Sequence, residues 1–580
     1  MAVSNPRALA AAAASYFLTV SAAPTKRGAE CAGSFEPISA ADYVAAINPG
    51  WNLGNTLDAT PDEGSWNNPP VQATTFDDVK AAGFKSVRIP VTYTHHFTGE
   101  SPDWTIDPDW LQRVEDVVDM ALERDLYVIT NVHHADSWEW ADVTRPDANL
   151  TMIEEKIHRA WVQIGEKLGC KSSLVAFEPI NEPPAETAEH GAELNKINEL
   201  FLQALAESGG FNTQRVVTLV GGAMDSMKTS QWFEAPTGYD NPWAIQYHYY
   251  SPYDFIFSAW GKTILSTDDL TTIKADLTNI RNNFTDVPLV LGEFDASPLN
   301  TEPAARRRYT DLVVRTAAAL NTAVVIWDNG LDHLDRETHA WKDPHSLSIL
   351  MNAAEGTPNS LADATTDAYA TSQSSSAYVF HRVGDSVEDY TVSLLLNGNT
   401  LDSIAVDGPD GETLAAGAEY RATPEGDVTF TTEFLGRRLS AAPDAEPGSK
   451  ANLTLSFSAG GTAGVEIVQW DVPVLESNTS KAVAGADLLI PITFKGLKYP
   501  AAVKMLRSDG VYLFDDWTQY LGPLQAAYGT YNGQWNWLGD NLVLTAATVD
   551  AVIAAGVDTT FTFDFFPRVP GNSVNYTLTV

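Results

Sequence analysis

The fold and the chemistry of this chain are indicated most clearly by the stretch Phe177-Glu178-Pro179-Ile180-Asn181-Glu182-Pro183. It begins within a short apolar run, residues 174–177, that is typical of a buried strand. Prolines at 179, 183 and 184 prevent a simple continuation of that strand, so Asn181 and Glu182 are expected at its C-terminal end. Glu293 follows a second apolar run, residues 288–291, in the same way. Two carboxylates at the ends of two strands can flank one bond, as glycoside hydrolysis requires.

Two short motifs carry a resemblance to a known family. Asn181-Glu182-Pro183, with Gly292-Glu293-Phe294 downstream, resembles glycoside hydrolase family 5, the large cellulase family. The segment 50–59, Gly-Trp-Asn-Leu-Gly-Asn-Thr-Leu-Asp-Ala, is similar to the signature of its subfamily 4. The resemblance implies that Glu182 is the general acid/base and Glu293 the nucleophile of a retaining reaction, with the two carboxyl groups about 5–5.5 Å apart.

Strand-like and helix-like segments alternate from about residue 37 to residue 362, which predicts an α/β fold. Eight strand–helix repeats over this length fit a TIM barrel, whose chemistry lies at the C-terminal ends of the strands. Asp107 and Pro108 predict the N-cap and first position of a helix over 107–124. Other helices are predicted near 151–168, 188–208, 267–283 and 303–320. The predicted strands are Gly50–Asn55, Ser86–Val91, Tyr127–His134, Leu174–Glu182, Val216–Gly221, Trp243–Tyr250, Pro288–Phe294 and Thr322–Gly330.

Length and charge bound the class of protein. A chain of 580 residues is too long for one hydrophobic core, so two to four domains are expected. Its hydrophobic content of 44% is ample for packed globular domains. The formal net charge of -39 argues against a nucleic acid partner, because such a surface repels phosphate.

The N-terminus has the pattern of an export signal. Arg7 precedes an apolar run over residues 8–20, and small residues follow as far as Ala22. We predict a signal peptide over 1–22 and a leader over 23–36, in which Lys26-Arg27 resembles a dibasic processing site. The run is too short to span a bilayer, so we expect a secreted, extracellular protein without a membrane anchor. In a eukaryotic host five sequons could carry glycans: Asn149, Asn283, Asn452, Asn478 and Asn575.

The chain has only two cysteines, Cys31 and Cys170, too few for a metal cluster. Cys170 ends a predicted helix and Cys31 lies just before the first strand, so both are expected at the bottom of the barrel. In an exported protein they could pair. They could also remain free, because cysteine geometry cannot be read from sequence.

Arg88 lies inside an apolar strand, where a charged side chain is costly unless it is paired. Glu293 is its expected partner, since a guanidinium fork would keep the nucleophile ionised and correctly aimed. A purely structural ion pair inside the barrel is the alternative.

Two histidine segments are candidates for the cleft. His133 and His134 end the predicted third strand, where adjacent residues point to opposite faces, and the resemblance selects His133 as the cleft residue. The same geometry argues against a metal site, and no third ligand is evident. His248 and Tyr250 alternate and so share a face. The resemblance places His248 beside the acid/base and the Tyr250 hydroxyl on the nucleophile, whereas burial against backbone groups is the alternative.

The resemblance also implies sugar contacts. Asn181 would hold the sugar 2-hydroxyl, and Trp327 would stack on the sugar at the cleaved bond. Asn55 would contact a sugar upstream of the cut. Packing in the core or in loops is the alternative for the aromatic residues. Further candidate cleft residues are His95, His96 and Trp138.

From about residue 363 helical periodicity is scarce and short alternating runs predict β-structure. Strands are expected at Tyr390–Leu396, Val428–Phe434 and Asn452–Ala459. Residues 363–476, a linker and a β-sandwich, resemble the immunoglobulin-like module of family 5 enzymes. Residues 477–580 resemble a carbohydrate-binding module of family 46, and Trp517, Trp535 and Trp537 are its candidate sugar-stacking residues. An aromatic-rich β-core is the alternative.

The resulting prediction is a secreted, monomeric endo-β-1,4-glucanase that acts on β-glucan polysaccharide without a cofactor or metal ion. Cellulose, mixed-linkage β-glucan and xyloglucan all remain open as the preferred polymer. A β-mannanase on the same barrel and a non-catalytic polysaccharide-binding protein are the alternatives. The two intact glutamates, Glu182 and Glu293, argue against the last of these.

Overall fold

The structure is a computed structural model that describes residues 29–135, 140–409, 411–513 and 527–580. Eight parallel strands close into a barrel in the order in which they occur in the chain, which confirms the predicted TIM barrel. The predicted signal peptide lies outside the described residues. The barrel strands are β1 (Gly50–Asn52), β2 (Ser86–Ile89), β3 (Tyr127–Asn131), β4 (Val175–Glu178), β5 (Val217–Asp225), β6 (Trp243–His248), β7 (Leu289–Glu293) and β8 (Thr322–Ile326).

Helices surround the barrel where the sequence pattern places them. The Asp107 side chain accepts a hydrogen bond from the backbone N–H of Asp109, and Pro108 is the first helical residue, as predicted. The helices of the barrel domain are α1 (Ala40–Ala46), α2 (Ala73–Ala81), α3 (Pro108–Leu122), α4 (Leu150–Leu168), α5 (Ala188–Ser208), α6 (Ser226–Trp232), α7 (Tyr253–Ile256), α8 (Thr267–Asn283), α9 (Pro303–Ala319) and α10 (Pro344–Ala354).

The N-terminal end of the barrel is closed by α1. Tyr43 and Val44 of this helix share a buried apolar cluster with inward-facing strand residues such as Ile129 and Val290. The Tyr43 hydroxyl donates a hydrogen bond to the backbone carbonyl of Val128. The C-terminal ends of the strands therefore form the accessible mouth, where TIM-barrel enzymes place their chemistry.

The predicted strands β1, β3, β4 and β8 extend three or four residues too far. The fourth strand ends at Glu178 and not at Glu182, because prolines follow it on both sides of Asn181. Glu182 adopts a φ of 37° in the left-handed region, which turns its side chain away from the strand direction. The third strand ends at Asn131, so His133 and His134 lie in the loop after it.

Two β-domains follow the barrel, and each consists of two four-stranded sheets. A two-stranded ribbon, β9 (Leu334–Asp335) and β10 (Ala340–Trp341), precedes them. The middle module contains β11 (Leu361–Ala362), β12 (Tyr378–Arg382), β13 (Tyr390–Leu395), β14 (Leu401–Val406), β15 (Tyr420–Ala422), β16 (Asp427–Phe430), α11 (Thr432–Leu435), β17 (Gly448–Phe457) and β18 (Thr462–Trp470). The strand predicted over 428–434 thus ends at Phe430, and a helical turn follows.

The described residues of the third module contain strands from 474 to 579 and one helix. Its elements are β19 (Val474–Leu475), β20 (Thr479–Lys481), β21 (Leu488–Thr493), β22 (Pro500–Arg507), β23 (Trp535–Leu538), β24 (Asn541–Leu544), α12 (Ala546–Ala555), β25 (Thr559–Phe565) and β26 (Ser573–Thr579). Its buried core includes Trp535, Phe561 and Phe563.

Both β-domains contact the barrel through hydrogen bonds. Arg307 of α9 donates to the carbonyl oxygen of Gly464 in the middle module at 3.0 Å. Arg568 of the third module donates to the carbonyl oxygen of Gly261 at 2.7 Å. Gly261 belongs to the segment that follows β6, so the third module reaches the mouth of the barrel.

Cys31 and Cys170 form a disulfide, with their Cα atoms 5.2 Å apart. Cys170 follows the C-terminus of α4, at the bottom of the barrel, as the sequence indicated. Within the described ranges, the helices are all too short or too polar to cross a membrane.

Candidate active site

The two glutamates singled out in the sequence meet at the mouth of the barrel. Glu182 lies in the loop after β4, and Glu293 is the last residue of β7. His248, at the end of β6, lies between them, with its Nδ1 2.7 Å from Glu182 Oε1 and 3.7 Å from Glu293 Oε2. One carboxylate oxygen of each glutamate lies within 4.8 Å of the other.

The two carboxyl groups have different surroundings. The Glu182 side chain is 38% exposed and that of Glu293 only 6%. Desolvation by the surrounding protein raises the pKa of Glu182 to about 7; Arg88 opposes this rise and Glu178 adds to it. Glu182 is therefore a carboxyl group that can hold a proton near neutral pH, as a general acid must.

Glu293 is held by charge-assisted hydrogen bonds. Arg88 Nη1 donates to its Oε1 at 2.5 Å, and the Tyr250 hydroxyl donates to its Oε2 at 2.9 Å. Burial raises the pKa of Glu293 above the usual value for a glutamate, whereas Arg88 and the tyrosine hydroxyl oppose the rise. The predicted contacts of His248 with Glu182 and of Tyr250 with Glu293 are thus present in the structure.

The guanidinium fork of Arg88 grips a different carboxylate from the one expected. Its Nε and Nη2 donate to the two oxygens of Glu178 at 2.7 and 2.8 Å. Only Nη1 reaches Glu293, and Nη2 also donates to Asn181 Oδ1 at 2.8 Å. The prediction that Arg88 contacts Glu293 is correct, but the bidentate pair is formed with Glu178, which ends β4 on the far side of β3 from Arg88.

His133 is part of the site through a chain of oriented groups. Asn131 Oδ1 accepts from the backbone N–H of Val91, so its amide nitrogen faces both Glu178 at 2.8 Å and His133 Nδ1 at 3.2 Å. The amide nitrogen is a donor, so Nδ1 accepts and the ring proton is on Nε2. The His133 ring stacks on Trp327 with 5.9 Å between centroids.

The paired histidines do not have the opposed side chains that the sequence predicted. Because β3 ends at Asn131, the rings of His133 and His134 are not on opposite faces, and their centroids are 4.6 Å apart. Ligand atoms of Asp58 and both histidines lie within 4.8 Å of one another. The protonated Nε2 of His133 nevertheless suits a hydrogen-bond donor better than a metal ligand.

Other predicted cleft residues have mixed outcomes. Asn55 follows β1 and donates to Asn67 Oδ1 at 2.8 Å. His95 is exposed in the loop after β2, whereas His96 is buried and stacks on Trp110 with 3.8 Å between centroids. The expectation that His96 lines the cleft is therefore wrong, since its ring packs against helix α3. Trp138 lies outside the described residues.

The tryptophans predicted to bind sugar in the third module are not an exposed pair. Trp535 is 2% exposed and its Nε1 donates to the carbonyl oxygen of Gly529. Trp535 and Trp537 do share a face of β23, but this face points into the module, where Trp537 is half-buried against Tyr531. Trp535 is therefore a core residue, which corrects the prediction. Trp517 lies outside the described residues.

Several polar residues of the site were missed. Glu178 was part of the stretch that decided the fold, and a carboxylate at the end of an apolar strand needs a buried cation. Arg88, a buried cation, needs a carboxylate partner, so an ion pair between Arg88 and Glu178 could have been predicted. Asn52, Asn131 and Gln246 gave no such signal, because an uncharged amide does not require an ionic partner.

Comparison with known proteins agrees with this geometry. The family model described as cellulase, glycosyl hydrolase family 5, matches residues 51–333, and the model described as carbohydrate binding domain X2 matches residues 373–467. The second match lies in the module that the sequence analysis described as immunoglobulin-like. Endoglucanase B of Paenibacillus lautus is 28% identical over 478 residues, which cover 79% of this chain and 80% of that protein.

Two solved structures match different lengths of the chain, one nearly all of it and the other about half. A tri-modular family 5, subfamily 4 endo-β-1,4-glucanase from Bacillus licheniformis, complexed with cellotetraose, is 33% identical with a TM-score of 0.82. The alignment covers 93% of this chain and 99% of that structure. A family 5 xyloglucanase from Paenibacillus pabuli is 28% identical, covers 54% of this chain and 99% of that structure, and has a TM-score of 0.50. The chain belongs to glycosyl hydrolase family 5 and is an endo-β-1,4-glucanase in which two β-domains, one of them a carbohydrate-binding domain, follow the catalytic barrel.

Proposed function

We propose that this endoglucanase is a secreted, retaining enzyme that cleaves internal β-1,4-glucosidic bonds of soluble and cell-wall β-glucans. The observation that carries the retaining mechanism is the spacing of the catalytic pair, whose nearest oxygens lie within 4.8 Å. Retaining enzymes hold their carboxyl groups about 5–5.5 Å apart, whereas inverting enzymes need about 6.5–9.5 Å to admit a water molecule.

The first step forms a covalent intermediate. The Glu293 carboxylate attacks the anomeric carbon, and the bond between that carbon and the bridging oxygen breaks. Glu182 gives its proton to the departing oxygen, which leaves as a sugar hydroxyl. The pKa of about 7 for Glu182 supports this assignment, because the proton is present at neutral pH and can be released.

The second step returns the enzyme to its starting state. Glu182, now ionised, removes a proton from a water molecule, and the water oxygen attacks the anomeric carbon. The bond to Glu293 breaks, and its carboxylate is regenerated with the sugar configuration retained. The surroundings of His248 lower its pKa to about 4, chiefly by burial, so this residue orients Glu182 as a neutral ring.

The other predicted roles remain proposals of the same kind. We assign Asn181 to the sugar 2-hydroxyl, Trp327 to stacking on the sugar at the cleaved bond and Asn55 to a sugar upstream. The Asn181 carbonyl oxygen is occupied by Arg88, which leaves its amide N–H groups for the substrate. His133 presents Nε2–H beside the ring of Trp327 and supports a further hydroxyl contact.

A row of aromatic side chains supports the binding of a long polymer. It begins at Tyr250, beside the nucleophile, and continues through Phe257 and Tyr253 to Trp260 with centroid separations of 6.0, 4.7 and 5.5 Å. Tyr253 and Phe257 are exposed, and aromatic faces suit the apolar faces of pyranose rings. The row leads toward the third module, and we propose that this module extends the cleft.

The middle module is proposed to act mainly as a spacer. It is fixed to the barrel by Arg307 and by a 3.0 Å contact between His345 Nδ1 and Thr462 Oγ1. Its described residues from β12 to β18 include no large exposed aromatic ring, whereas Tyr369, in the segment between β11 and β12, is 84% exposed. A sugar site on its own surface is a second candidate role, because the matching family model is described as carbohydrate-binding.

Export and a monomeric state complete the proposal. The Cys31–Cys170 disulfide supports an oxidising compartment, and all five sequon asparagines are exposed. The preferred polymer among cellulose, mixed-linkage β-glucan and xyloglucan is tested by comparing rates on carboxymethylcellulose, barley β-glucan and xyloglucan. Mannan serves as the fourth substrate, and a mannan rate above all three would favour the β-mannanase alternative.

The catalytic assignment is tested by Glu293→Gln and Glu182→Gln. We expect the first to abolish turnover on every substrate, and the second to lose activity on polysaccharide but retain more on dinitrophenyl cellobioside, whose leaving group needs no proton. Glu186→Gln is the matched control, because Glu186 is exposed in the same loop after β4. Near-normal polysaccharide activity in either catalytic variant would refute the assignment.

A further inference from the structure

The site contains a third carboxylate, Glu178, to which the two-glutamate mechanism gives no role. It is fully buried at the end of β4. Its two oxygens accept four hydrogen bonds, two from Arg88 at 2.7 and 2.8 Å, one from Asn131 at 2.8 Å and one from Gln246 at 2.5 Å. Glu178 thereby joins β2, β3, β4 and β6 directly beneath the catalytic pair.

A structural ion pair alone does not account for this arrangement. Arg88 already has an anionic partner in Glu293, so one guanidinium serves two buried carboxylates. A second buried charge is costly unless it is well paired. Burial by itself would raise the pKa of Glu178, but Arg88 and the hydrogen bonds outweigh it and lower this pKa, so the group stays ionised. The extra negative charge is therefore a permanent feature of the site.

We propose that Glu178 is a positioning residue that controls the nucleophile through Arg88. By holding Nε and Nη2, it leaves only Nη1 for Glu293 and fixes the direction from which that single N–H approaches. A bidentate grip on Glu293 itself would stabilise the carboxylate more strongly before the reaction and make it a weaker nucleophile. The inference rests on the proposed roles of Glu182 and Glu293.

The charge balance of the site supports this role. With Glu182 protonated and the histidines neutral, Arg88 contributes one positive charge and the two buried carboxylates contribute two negative charges. The net negative charge favours the positive, oxocarbenium-like transition state of glycoside cleavage. The titratable and charged groups around Glu178 that contribute to this balance are Arg88 from β2, His133 after β3, Glu182 after β4, His248 from β6 and Glu293 from β7.

Glu178 also orients a donor toward the substrate side. Its Oε1 accepts from the Asn131 amide, and the same amide nitrogen donates to His133 Nδ1. This fixes the proton of His133 on Nε2. One carboxylate thus sets both the contact to the nucleophile and the tautomer of the histidine that stacks on Trp327.

The experiment measures kcat, KM and the pH profile of kcat/KM for Glu178→Gln and Glu178→Asp, on a cellooligosaccharide and on dinitrophenyl cellobioside. In Glu178→Gln we expect kcat to fall about tenfold or more on both substrates, with a smaller change in KM. On the cellooligosaccharide both limbs of the kcat/KM profile should move to lower pH by about 0.5–1 unit, and on dinitrophenyl cellobioside the acidic limb should move in the same direction. The reason is that Glu182 loses a repelling charge and Glu293 gains the full influence of Arg88. Glu178→Asp keeps the charge and should keep both limbs while lowering kcat.

The control is Asp343→Asn, which removes another buried carboxylate that pairs with two arginines, but at the interface with the middle module. It should lower stability without moving either limb. Unmoved limbs in Glu178→Gln, or a wild-type kcat in Glu178→Asp, would overturn the inference. Should Glu178→Gln fail to fold, the kcat of Glu178→Asp alone decides. Activity in Glu293→Gln would refute the proposed function, whereas an unperturbed Glu178→Gln with an inactive Glu293→Gln would refute only this role.

Discussion

At the scale of single residues, the division of labour between two glutamates depends on their surroundings. Glu182 is partly exposed and has a pKa of about 7, while Glu293 is buried against Arg88 and Tyr250. In the proposed mechanism the same side-chain chemistry therefore serves as a proton donor in one position and as an ionised nucleophile in the other.

The pH dependence of activity follows from these shifts. Glu182 must be protonated in the first step, so activity should fall as the pH rises through about 7. Glu293 must be ionised, so activity should fall as the pH drops through its raised pKa. We expect a bell-shaped profile of kcat/KM on cellooligosaccharides. On dinitrophenyl cellobioside the alkaline limb should disappear, because no proton is needed. An alkaline limb that is identical for both substrates would contradict the role of Glu182.

Residue-level prediction from the sequence succeeded where a residue type allowed few uses. Buried charges such as Arg88 and strand-end glutamates have few stable environments, so their contacts with one another could be anticipated. Trp535 failed because a tryptophan flanked by turn formers fits an exposed platform and a β-core equally well. The prediction for His96 failed because a ring in a loop can either line a cleft or pack on a neighbouring helix, and here the ring stacks on Trp110 of α3, the next helix in the chain.

At the scale of secondary structure, all eight barrel strands and the five helices given bounds were predicted close to their observed positions. Their apolar runs and caps are local signals, such as Asp107 and Pro108 at the start of α3. The ends of β1, β3, β4 and β8 were predicted three or four residues too late, because the sequence pattern does not mark where a strand passes into a buried loop. The left-handed conformation of Glu182 could not be read from its sequence.

The disulfide ties the N-terminal segment to the end of α4, across a separation of 139 residues. Removing both cysteines by Cys31→Ala and Cys170→Ala should lower the free energy of unfolding by about 2–5 kcal/mol, because the unfolded chain regains freedom. Thermal unfolding of the wild type with and without reductant provides the measurement, and reductant should not change the Tm of the double variant. Since the bond lies at the bottom of the barrel, kcat at low temperature should be unchanged. An unaltered Tm would contradict this prediction.

At the scale of the whole molecule, the catalytic mouth, the aromatic row and the third module form one continuous surface. Tyr531 of the third module donates its backbone N–H to the carbonyl oxygen of Ser258, next to the exposed Phe257. The tri-part organisation could be predicted from changes of sequence texture near residue 363. The docking of the modules could not, because it depends on backbone carbonyls such as those of Gly261 and Gly464.

Loosening the third module should affect polymers more than short substrates. Arg568→Ala removes hydrogen bonds to the carbonyl oxygen of Gly261 and to Thr263 Oγ1. We expect kcat/KM on barley β-glucan to fall about threefold or more, because the module no longer holds a second part of the chain near the cleft. Activity on dinitrophenyl cellobioside should change by less than about twofold. Arg421→Ala, which alters an exposed arginine on the middle module, is the control. Equal losses on both substrates would show that the module does not extend the cleft.

The central claim, that Glu293 forms a covalent bond to the sugar while Glu182 handles the proton, is tested most directly by trapping the intermediate. A fluorinated cellobioside with an activated leaving group should accumulate as a glycosyl-enzyme, because the fluorine at the sugar C2 slows its hydrolysis. Mass spectrometry of peptides from the inactivated enzyme should locate the sugar on Glu293. A sugar attached to another residue would contradict the account. Inactivation that leaves no covalent adduct, in an enzyme preparation that was fully active before the inhibitor was added, would also contradict it.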